Sequence, residues 1–149
     1  MKLDENGYKL ITGFEGLSLK PYLDSVKVPT IGYGNTYYLD GKQVTLLDAP
    51  ITQLQAYEMF KIIADRFASR VDKLVKNINQ NQFNACVSLA YNIGMANFQN
   101  STLLRKLNVN PNDKSIANEF MRWNKAGGKT IDGLTKRRNK ESQLYFSRR

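Results

Sequence analysis

Apolar residues recur at helical spacing along most of this chain, and the first such stretch lies at its start. Between Leu3 and Phe14 they fall on one face of a helix. Gly13 and Gly16 mark the end of that helix. Glu15 is therefore expected at or just past a helix C-terminus.

Residues 17–46 have a different pattern, rich in Gly, Pro, Tyr, Thr and Val. The pair Asp40-Gly41 is a strong turn signal. Two or three short strands are predicted, around Leu19–Leu23, Thr30–Tyr33 and Gln43–Thr45. Strands this short and few make a small lobe and not a full domain.

A long amphipathic helix follows Pro50. Thr52 and Gln55 have the spacing of a capping box. Apolar residues then continue at helical spacing from Leu54 to Ile78. The pattern predicts one helix over about 52–79, long enough to bridge two lobes.

The rest of the chain is predicted to be helical, with each helix bounded by capping residues and glycines. Asn79 caps a helix that stops at Gly94, and Cys86 lies on its apolar face. The later helices run from Ser101 through Leu107, from a cap at Asn112 or Asp113 past Trp123 to Gly127-Gly128, and from Thr135 to Phe146.

These elements predict an α+β fold in one domain spanning 1–149. A small sheet lobe is expected over about 17–50 and a connecting helix over about 52–79. The larger helical lobe is expected to combine about 1–16 with 80–149.

Composition narrows the class of protein. With 149 residues and 42% apolar content, the chain can bury a real core. No apolar run reaches the length of a membrane span, and the N-terminus lacks the apolar segment of a signal peptide. Cys86 is the single cysteine, so it is expected to be a buried small hydrophobe and no internal disulfide can form. We therefore expect synthesis in a cytoplasm.

The net charge of +9 is concentrated near the C-terminus. Residues 120–149 hold nine Lys and Arg against Asp132 and Glu141. Such a surface favours polyanionic partners, either nucleic acid or an anionic cell envelope. The alternative interpretation is a solvated helix face with scattered charge.

The chain contains no histidine, which excludes histidine-based acids, triads and metal sites. Proton chemistry must then come mainly from carboxylates. Glu15 has a reason to keep a proton, because the C-terminal end of a helix disfavours a negative charge. Asp24 falls in a polar turn that can keep it ionised, and the Thr30 hydroxyl can hold a water beside it. Two carboxyl groups in unlike environments are what glycoside hydrolysis needs.

This spacing alone does not decide between an active site and ordinary surface acids. A stronger indication is that Gly13–Thr36 resembles the N-terminal signature of phage-type lysozymes, the endolysins of the T4-lysozyme family. The resemblance continues in order through Ser88–Gly94, Ser101–Leu104 and the block from Trp123 to Glu141. It implies a lysozyme-like fold.

The resemblance also implies roles for individual residues. Glu15 would be the general acid, Asp24 would activate or stabilise, and Thr30 would position the attacking water in an inverting reaction. Family positions that line the saccharide cleft correspond to Thr36, Tyr91, Asn92 and Ser101. Their alternative roles are structural, with Tyr91 in the core and Ser101 as a helix cap. Arg137 falls near the family arginine that pairs with the catalytic glutamate.

Three positions near the signature depart from the family pattern. Asn35 stands where many members have histidine. Lys27 and Pro29 replace the glycine and the bulkier residue that are common in relatives. The turn beside Asp24 is therefore expected to have a different shape.

The resemblance implies a muramidase that cuts the β-1,4 bond between N-acetylmuramic acid and N-acetylglucosamine in peptidoglycan and so lyses the host cell. It implies a monomer with no cofactor and no metal. It also implies that the enzyme is released from the host cytoplasm after a separate membrane-permeabilising holin has opened the membrane. Two alternatives stay open: a lytic transglycosylase or chitin-directed enzyme of the same architecture, and a basic nucleic-acid-binding module built on residues 120–149.

Overall fold

A computed structural model describes residues 1–147, so Arg148 and Arg149 of the basic C-terminal run lie outside the described residues. Helices predominate, and the strands are short. In chain order the elements are α1 (Glu5–Glu15), β1 (Ser18–Leu23), β2 (Pro29–Gly32), α2 (Gln53–Asp72), α3 (Gln80–Ile93), α4 (Met95–Gln99), α5 (Thr102–Val109), α6 (Ile116–Met121), β3 (Lys125–Ala126), β4 (Lys129–Thr130) and α7 (Asp132–Phe146).

The chain divides into two compact units. The smaller unit is Tyr8–Asp65, and the larger unit combines Met1–Gly7 with the chain from Arg66 onwards. In residues 1–147, no helix is both long enough and apolar enough to cross a membrane.

The smaller unit is built around an antiparallel pair of strands. β1 pairs with β2 so that Tyr22 lies opposite Thr30 and Leu23 lies opposite Pro29. Ile31 of β2 is fully buried, and it packs with Val44 and Met59 in a small core. This core holds the β1–β2 hairpin against the first part of α2.

The predicted third strand at Gln43–Thr45 is wrong. Gln43 makes a single bridge to Tyr37, and no ladder extends from it. The Asp48 carboxylate accepts hydrogen bonds from the backbone N–H of Thr45 at 2.9 Å and from its hydroxyl at 2.7 Å. These bonds turn the chain and use a donor that a strand would need for pairing.

The capping box at the start of α2 is confirmed. The Thr52 N–H donates to Gln55 Oε1 at 2.8 Å, and the Gln55 N–H donates to Thr52 Oγ1 at 3.1 Å. The helix is shorter than the predicted 52–79, because it ends at Asp72 after 20 residues.

The early end of α2 is fixed by a residue far away in sequence. The Asn108 side chain donates to the carbonyl of Leu74 at 2.8 Å and accepts from the N–H of Lys76 at 3.1 Å. Asn77 then adopts a left-handed backbone with φ of 57°, which a right-handed helix cannot include.

The larger unit is organised around α3, in which every residue from Asn81 to Ala90 is buried. Its N-terminus has the predicted cap, since Asn79 and Gln82 form a reciprocal capping box, and Gly94 ends the helix as expected. Cys86 is fully buried, as predicted, and burial raises the pKa of its thiol. α7 packs along α3 and contributes the charged residues described below.

Several predictions downstream of α3 need correction. α4 was not predicted, and α5 runs beyond Leu107 to Val109, although its cap at Ser101 is confirmed. Neither Asn112 nor Asp113 is the cap of α6. Ser115 holds that position, and the Asp113 carboxylate accepts from its N–H and hydroxyl.

The glycine pair at 127–128 does not stop a helix. α6 ends at Met121, and Trp123 lies beyond it. Gly127 and Gly128 instead form the turn of the β3–β4 hairpin, with φ of 58° and 78°. Both angles suit glycine in a tight hairpin. The last helix begins at Asp132, three residues before the predicted start.

Candidate active site

Glu15 is the last residue of α1, as the pattern of glycines predicts. Gly16 closes the helix, with its N–H donating to the carbonyl of Thr12 at 3.2 Å. The Glu15 side chain is half-buried. It therefore lies beside the negative end of the helix dipole while staying accessible to a ligand.

Asp24 begins the turn that joins β1 to β2. Its Oδ1 atom accepts from the backbone N–H of Val26 at 2.9 Å and of Val28 at 2.8 Å. The Asp24 backbone N–H also donates to the carbonyl of Val28 at 3.0 Å. Two N–H donors on one oxygen fix the orientation of the carboxylate. This is the polar environment expected for Asp24.

The departures at Lys27 and Pro29 lie in this same turn. Lys27 has φ of 64°, a left-handed conformation that glycine adopts without strain and lysine does not. Its N–H donates to the carbonyl of Asp24 at 3.0 Å. Pro29 is the first residue of β2, where a missing N–H is tolerated. Lysine therefore occupies a position in this turn whose conformation suits glycine.

Thr30 is buried in β2, with 2% of its surface exposed. Its hydroxyl donates to the carbonyl of Val28 at 2.8 Å. Because that bond uses the only hydroxyl proton, Thr30 Oγ1 can serve a further partner as an acceptor. A water is such a partner, since it can donate to Thr30.

Tyr22 is a residue that the sequence analysis missed. It lies opposite Thr30 in the β1–β2 ladder and two residues before Asp24. Burial raises the pKa of the Tyr22 hydroxyl, and the negative charges of Glu15 and Asp24 raise it further. The phenol is therefore within electrostatic reach of both acids. The sequence signal for Tyr22 is weak, since it consists only of a position two residues before Asp24 in a predicted strand.

The loop after β2 is shaped to accommodate Glu15. Gly34 has φ of 77°, and a Cβ atom at this position would collide with Glu15 Oε1. Ile31 and Asn35 exchange backbone hydrogen bonds of 2.8 and 2.9 Å across this loop, and Asn35 Oδ1 accepts from the N–H of Tyr33 at 3.3 Å. Asn35 is buried and shapes the loop. Gly34 therefore gives Glu15 room that a side chain at this position would take.

The predicted saccharide-binding residues are divided between the units. Thr36 lies in the smaller unit and is half-buried, with its carbonyl bonded to the N–H of Val44. In the larger unit, Tyr91 is half-buried against Phe67, with ring centroids 5.3 Å apart, and Asn92 is exposed. Their roles toward a saccharide stay predictions.

Ser101 has a structural role as the cap of α5. Its hydroxyl donates to the carbonyl of Phe98 at 2.7 Å and accepts from the N–H of Leu104 at 3.1 Å. The side chain is also buried. A contact between Ser101 and substrate stays a prediction alongside this cap.

Arg137 belongs to a buried ionic group that we call the Glu141 cluster, formed by Ser88, Arg137, Arg138 and Glu141. Glu141 Oε1 pairs with Arg138 Nε at 2.7 Å. Glu141 Oε2 accepts from Arg137 Nε and Arg138 Nη2, both at 3.2 Å, and from Ser88 Oγ at 2.5 Å. Arg137 also donates to the Ser88 carbonyl at 3.1 Å.

The Glu141 cluster joins three parts of the larger unit. Ser88 comes from α3, and Arg137, Arg138 and Glu141 come from α7. Arg138 Nη1 extends the network to the carbonyl of Trp123 at 3.1 Å. Two guanidinium groups face one carboxylate, so the cluster has a formal charge of +1. The predicted pairing of Arg137 with Glu15 stays a prediction.

Comparisons with known proteins agree with this architecture. Residues 12–141 match the family model for phage lysozyme. The chain is 40% identical over 150 residues to the endolysin of Bacillus phage B103, an alignment that covers 99% of this chain and 55% of that protein. The chain therefore spans about half the length of the Bacillus phage relatives that it matches.

Other relatives match over nearly their whole length. The endolysin of Salmonella phage P22 is 38% identical over 148 residues, with 99% of each chain covered. The solved endolysin from Escherichia coli O157:H7 phage FAHEc1 superposes with a TM-score of 0.88 at 38% identity, covering 98% of this chain and 94% of that one. The predicted lysozyme-like α+β fold is confirmed, and the chain belongs to the phage lysozyme family.

Proposed function

We propose that this chain is an endolysin-type muramidase that hydrolyses the β-1,4 bond between N-acetylmuramic acid and N-acetylglucosamine in bacterial peptidoglycan. One observation carries the proposal. Glu15 at a helix C-terminus lies against Gly34 in the loop after β2, and two backbone N–H groups hold Asp24 in the turn before β2. Two acids in unlike surroundings at one locus suit glycoside hydrolysis.

The proposed reaction assigns opposite roles to the two acids. Glu15 donates its proton to the glycosidic oxygen as the bond to the anomeric carbon breaks. A water attacks that carbon from the other face of the sugar, and Asp24 takes the proton that the water loses. Glu15 ends ionised and Asp24 ends protonated, and exchange with solvent restores both.

The local hydrogen bonds support this assignment of Asp24 and Thr30. Oδ1 of Asp24 holds two backbone donors, and within residues 1–147 no hydrogen bond reaches Oδ2. Oδ2 is thus the oxygen available to a water. Thr30 can accept a second hydrogen bond from the same water, because its own proton is donated to Val28.

Product analysis on purified peptidoglycan tests the proposed function. We expect reducing N-acetylmuramic acid ends, and we expect the first-formed sugar to have the α configuration, since direct attack by water inverts a β linkage. Chromatography with mass spectrometry identifies the ends, and NMR during turnover identifies the anomer. Anhydro-muramic ends would instead support a lytic transglycosylase. Cleavage of chitin with no cleavage of peptidoglycan would support a chitin-directed enzyme.

The nucleic-acid-binding alternative depends on the basic residues near the C-terminus, and contacts within the larger unit bury or pair some of them. Of the cations at 120–147, Arg137 and Arg138 are buried in the Glu141 cluster. Arg122 is paired with Glu119 at 2.9 Å. The remaining exposed cations are as compatible with binding to an anionic cell wall as with binding to nucleic-acid phosphates.

We also propose that the chain acts as a monomer from the host cytoplasm and that a separate membrane-permeabilising holin releases it. The support is the family resemblance. Host cells that express the chain alone are expected to keep their optical density until the membrane is opened chemically, and then to lyse. Rapid lysis before that treatment would contradict the need for a partner.

A further inference from the structure

The larger unit contains a groove of about 920 Å³ that none of the predicted site residues enters. This volume is within the range of small-molecule sites, about 300–1,000 Å³. We call it the amide groove, and its walls include Asn79, Gln82, Asn112, Lys114, Tyr145 and Phe146.

The amide groove and the predicted cleft residues lie at opposite ends of one helix. Asn79 caps the N-terminus of α3, whereas Tyr91 and Asn92 lie in its last turn. At the rise of an α-helix, these ends are roughly 20 Å apart. The groove is therefore a separate feature of the larger unit.

Gln82 organises the polar wall of the amide groove, although only 4% of its surface is exposed. Its N–H donates to Asn79 Oδ1 at 2.8 Å, and its Nε2 donates to Asn112 Oδ1 at 3.3 Å. Both asparagine oxygens are thus engaged. Within residues 1–147, neither Nδ2 group of Asn79 and Asn112 has a protein acceptor, and nor has the Lys114 ammonium. The wall offers a ligand two asparagine amides, whose oxygens are held by Gln82, and one lysine ammonium.

Another part of the groove lining is aromatic. The rings of Tyr145 and Phe146 meet edge to face, with centroids 4.9 Å apart. Tyr145 is buried and its hydroxyl donates to the carbonyl of Pro111 at 2.7 Å, whereas Phe146 is 36% exposed. No carboxylate is among the described lining residues. The groove therefore suits a ligand that is rich in acceptors, neutral or anionic, with an apolar face.

We propose that the amide groove binds an acetamido-bearing glycan segment of peptidoglycan at a second site. The acetamido carbonyls accept from Asn79 and Asn112, and a muramic or stem-peptide carboxylate pairs with Lys114. The C–H face of a pyranose ring packs on Phe146. This inference rests on the proposed function, since it concerns the same polymer. A second contact keeps the enzyme on an insoluble wall between cleavages.

Binding to intact purified sacculi tests the groove. In a Glu15→Gln background, which prevents digestion, the change Lys114→Ala with Phe146→Ala removes the cation and the ring. Both side chains are exposed, so we expect the fold to persist in circular dichroism. The dissociation constant in a sedimentation assay should rise about tenfold, the effect of losing one charged hydrogen bond and an apolar contact.

The matched control is Lys136→Ala with Leu47→Ala in the same background. It removes one exposed cation and one exposed apolar side chain outside the groove, and Leu47 is 97% exposed. Sacculus binding by this control should equal that of the Glu15→Gln parent. Equal weakening in both double variants would overturn the groove proposal, because charge alone would explain it.

A kinetic comparison separates this inference from the proposed function. With Glu15 restored, the groove variant should cleave soluble short peptidoglycan oligosaccharides at the parent rate and digest sacculi more slowly. A variant that binds and digests sacculi as the parent does would overturn the groove alone. A parent that neither cleaves nor binds sacculi would overturn the proposed function and this inference together.

Discussion

Replacing Glu15 with glutamine is expected to abolish hydrolysis of peptidoglycan while leaving the protein folded. The substitution keeps the size of the side chain and removes the proton donor. General acids contribute about 10²–10⁴-fold, so we expect kcat on purified sacculi to fall by at least about 100-fold. The fold should persist because Glu15 is half-buried at a helix end. A turbidity assay on purified sacculi and a thermal melt measure the two properties.

The matched control for Glu15 is Glu5→Gln in the first turn of the same helix. Glu5 is exposed, and its substitution removes the same charge from α1. We expect that variant to turn over sacculi at the parent rate. A Glu15→Gln protein that clears sacculi as fast as the Glu5→Gln protein would show that residue 15 is not the acid.

The largest loss of stability is expected from Glu141→Gln. Glu141 is fully buried and is the carboxylate that faces both Arg137 and Arg138 in the cluster. Removing its charge leaves two buried guanidinium groups without that counterion. Breaking a buried ion pair from one side costs about 3–5 kcal/mol, a large part of the usual free energy of unfolding of 5–15 kcal/mol. Urea unfolding of parent and variant measures the difference.

Glu58→Gln is the matched control for Glu141, because Glu58 is an exposed helical glutamate. Its free energy of unfolding should stay within about 0.5 kcal/mol of the parent value. If Glu141→Gln unfolds at the same urea concentration as this control, the cluster contributes little to stability. In that case, the presence of Arg137 at this position would need an explanation outside the cluster.

Three helix starts were predictable because capping is local. Thr52 with Gln55, Asn79 with Gln82, and Ser101 with Leu104 each bond across three residues. The spacing of the capping residues in the sequence predicts such bonds directly. The turn that replaces the predicted third strand is also local, since Thr45 and Asp48 are three residues apart. The composition of residues 17–46 favours strands, but the Asp48 side chain takes the Thr45 N–H that a third strand would use.

Other errors had causes that no local pattern contains. The end of α2 depends on the Asn108 amide, which is 34 residues from Leu74. The burial of Arg137 and Arg138 depends on Ser88 of α3 and on the Trp123 carbonyl. The sequence shows these arginines as part of a basic run, and only packing removes them from the surface.

The features around the two acids likewise divide into those that the sequence predicts and those that depend on tertiary contacts. Glu15 at the end of α1 and Asp24 in a turn could be predicted from glycines and turn residues, since both depend on neighbours in the chain. Their common neighbour Tyr22 and the space that Gly34 leaves for Glu15 required the register of β1 with β2 and the path of the following loop.

The amino-acid order alone was enough to predict the family, most of the helices, the β1–β2 hairpin, and the two carboxyl groups with their local surroundings. Hydrogen bonds within a few residues and hydrophobic periodicity can be predicted directly from the order of amino acids. Three features emerged only from packing: the end of α2, the burial of two arginines around Glu141, and the joint contact of Gln82 with Asn79 and Asn112 at one groove. Each of these features needs at least one contact between segments 30 or more residues apart: Asn108 with Leu74, Arg137 with Ser88, and Gln82 with Asn112. Such segments become neighbours only when the chain folds.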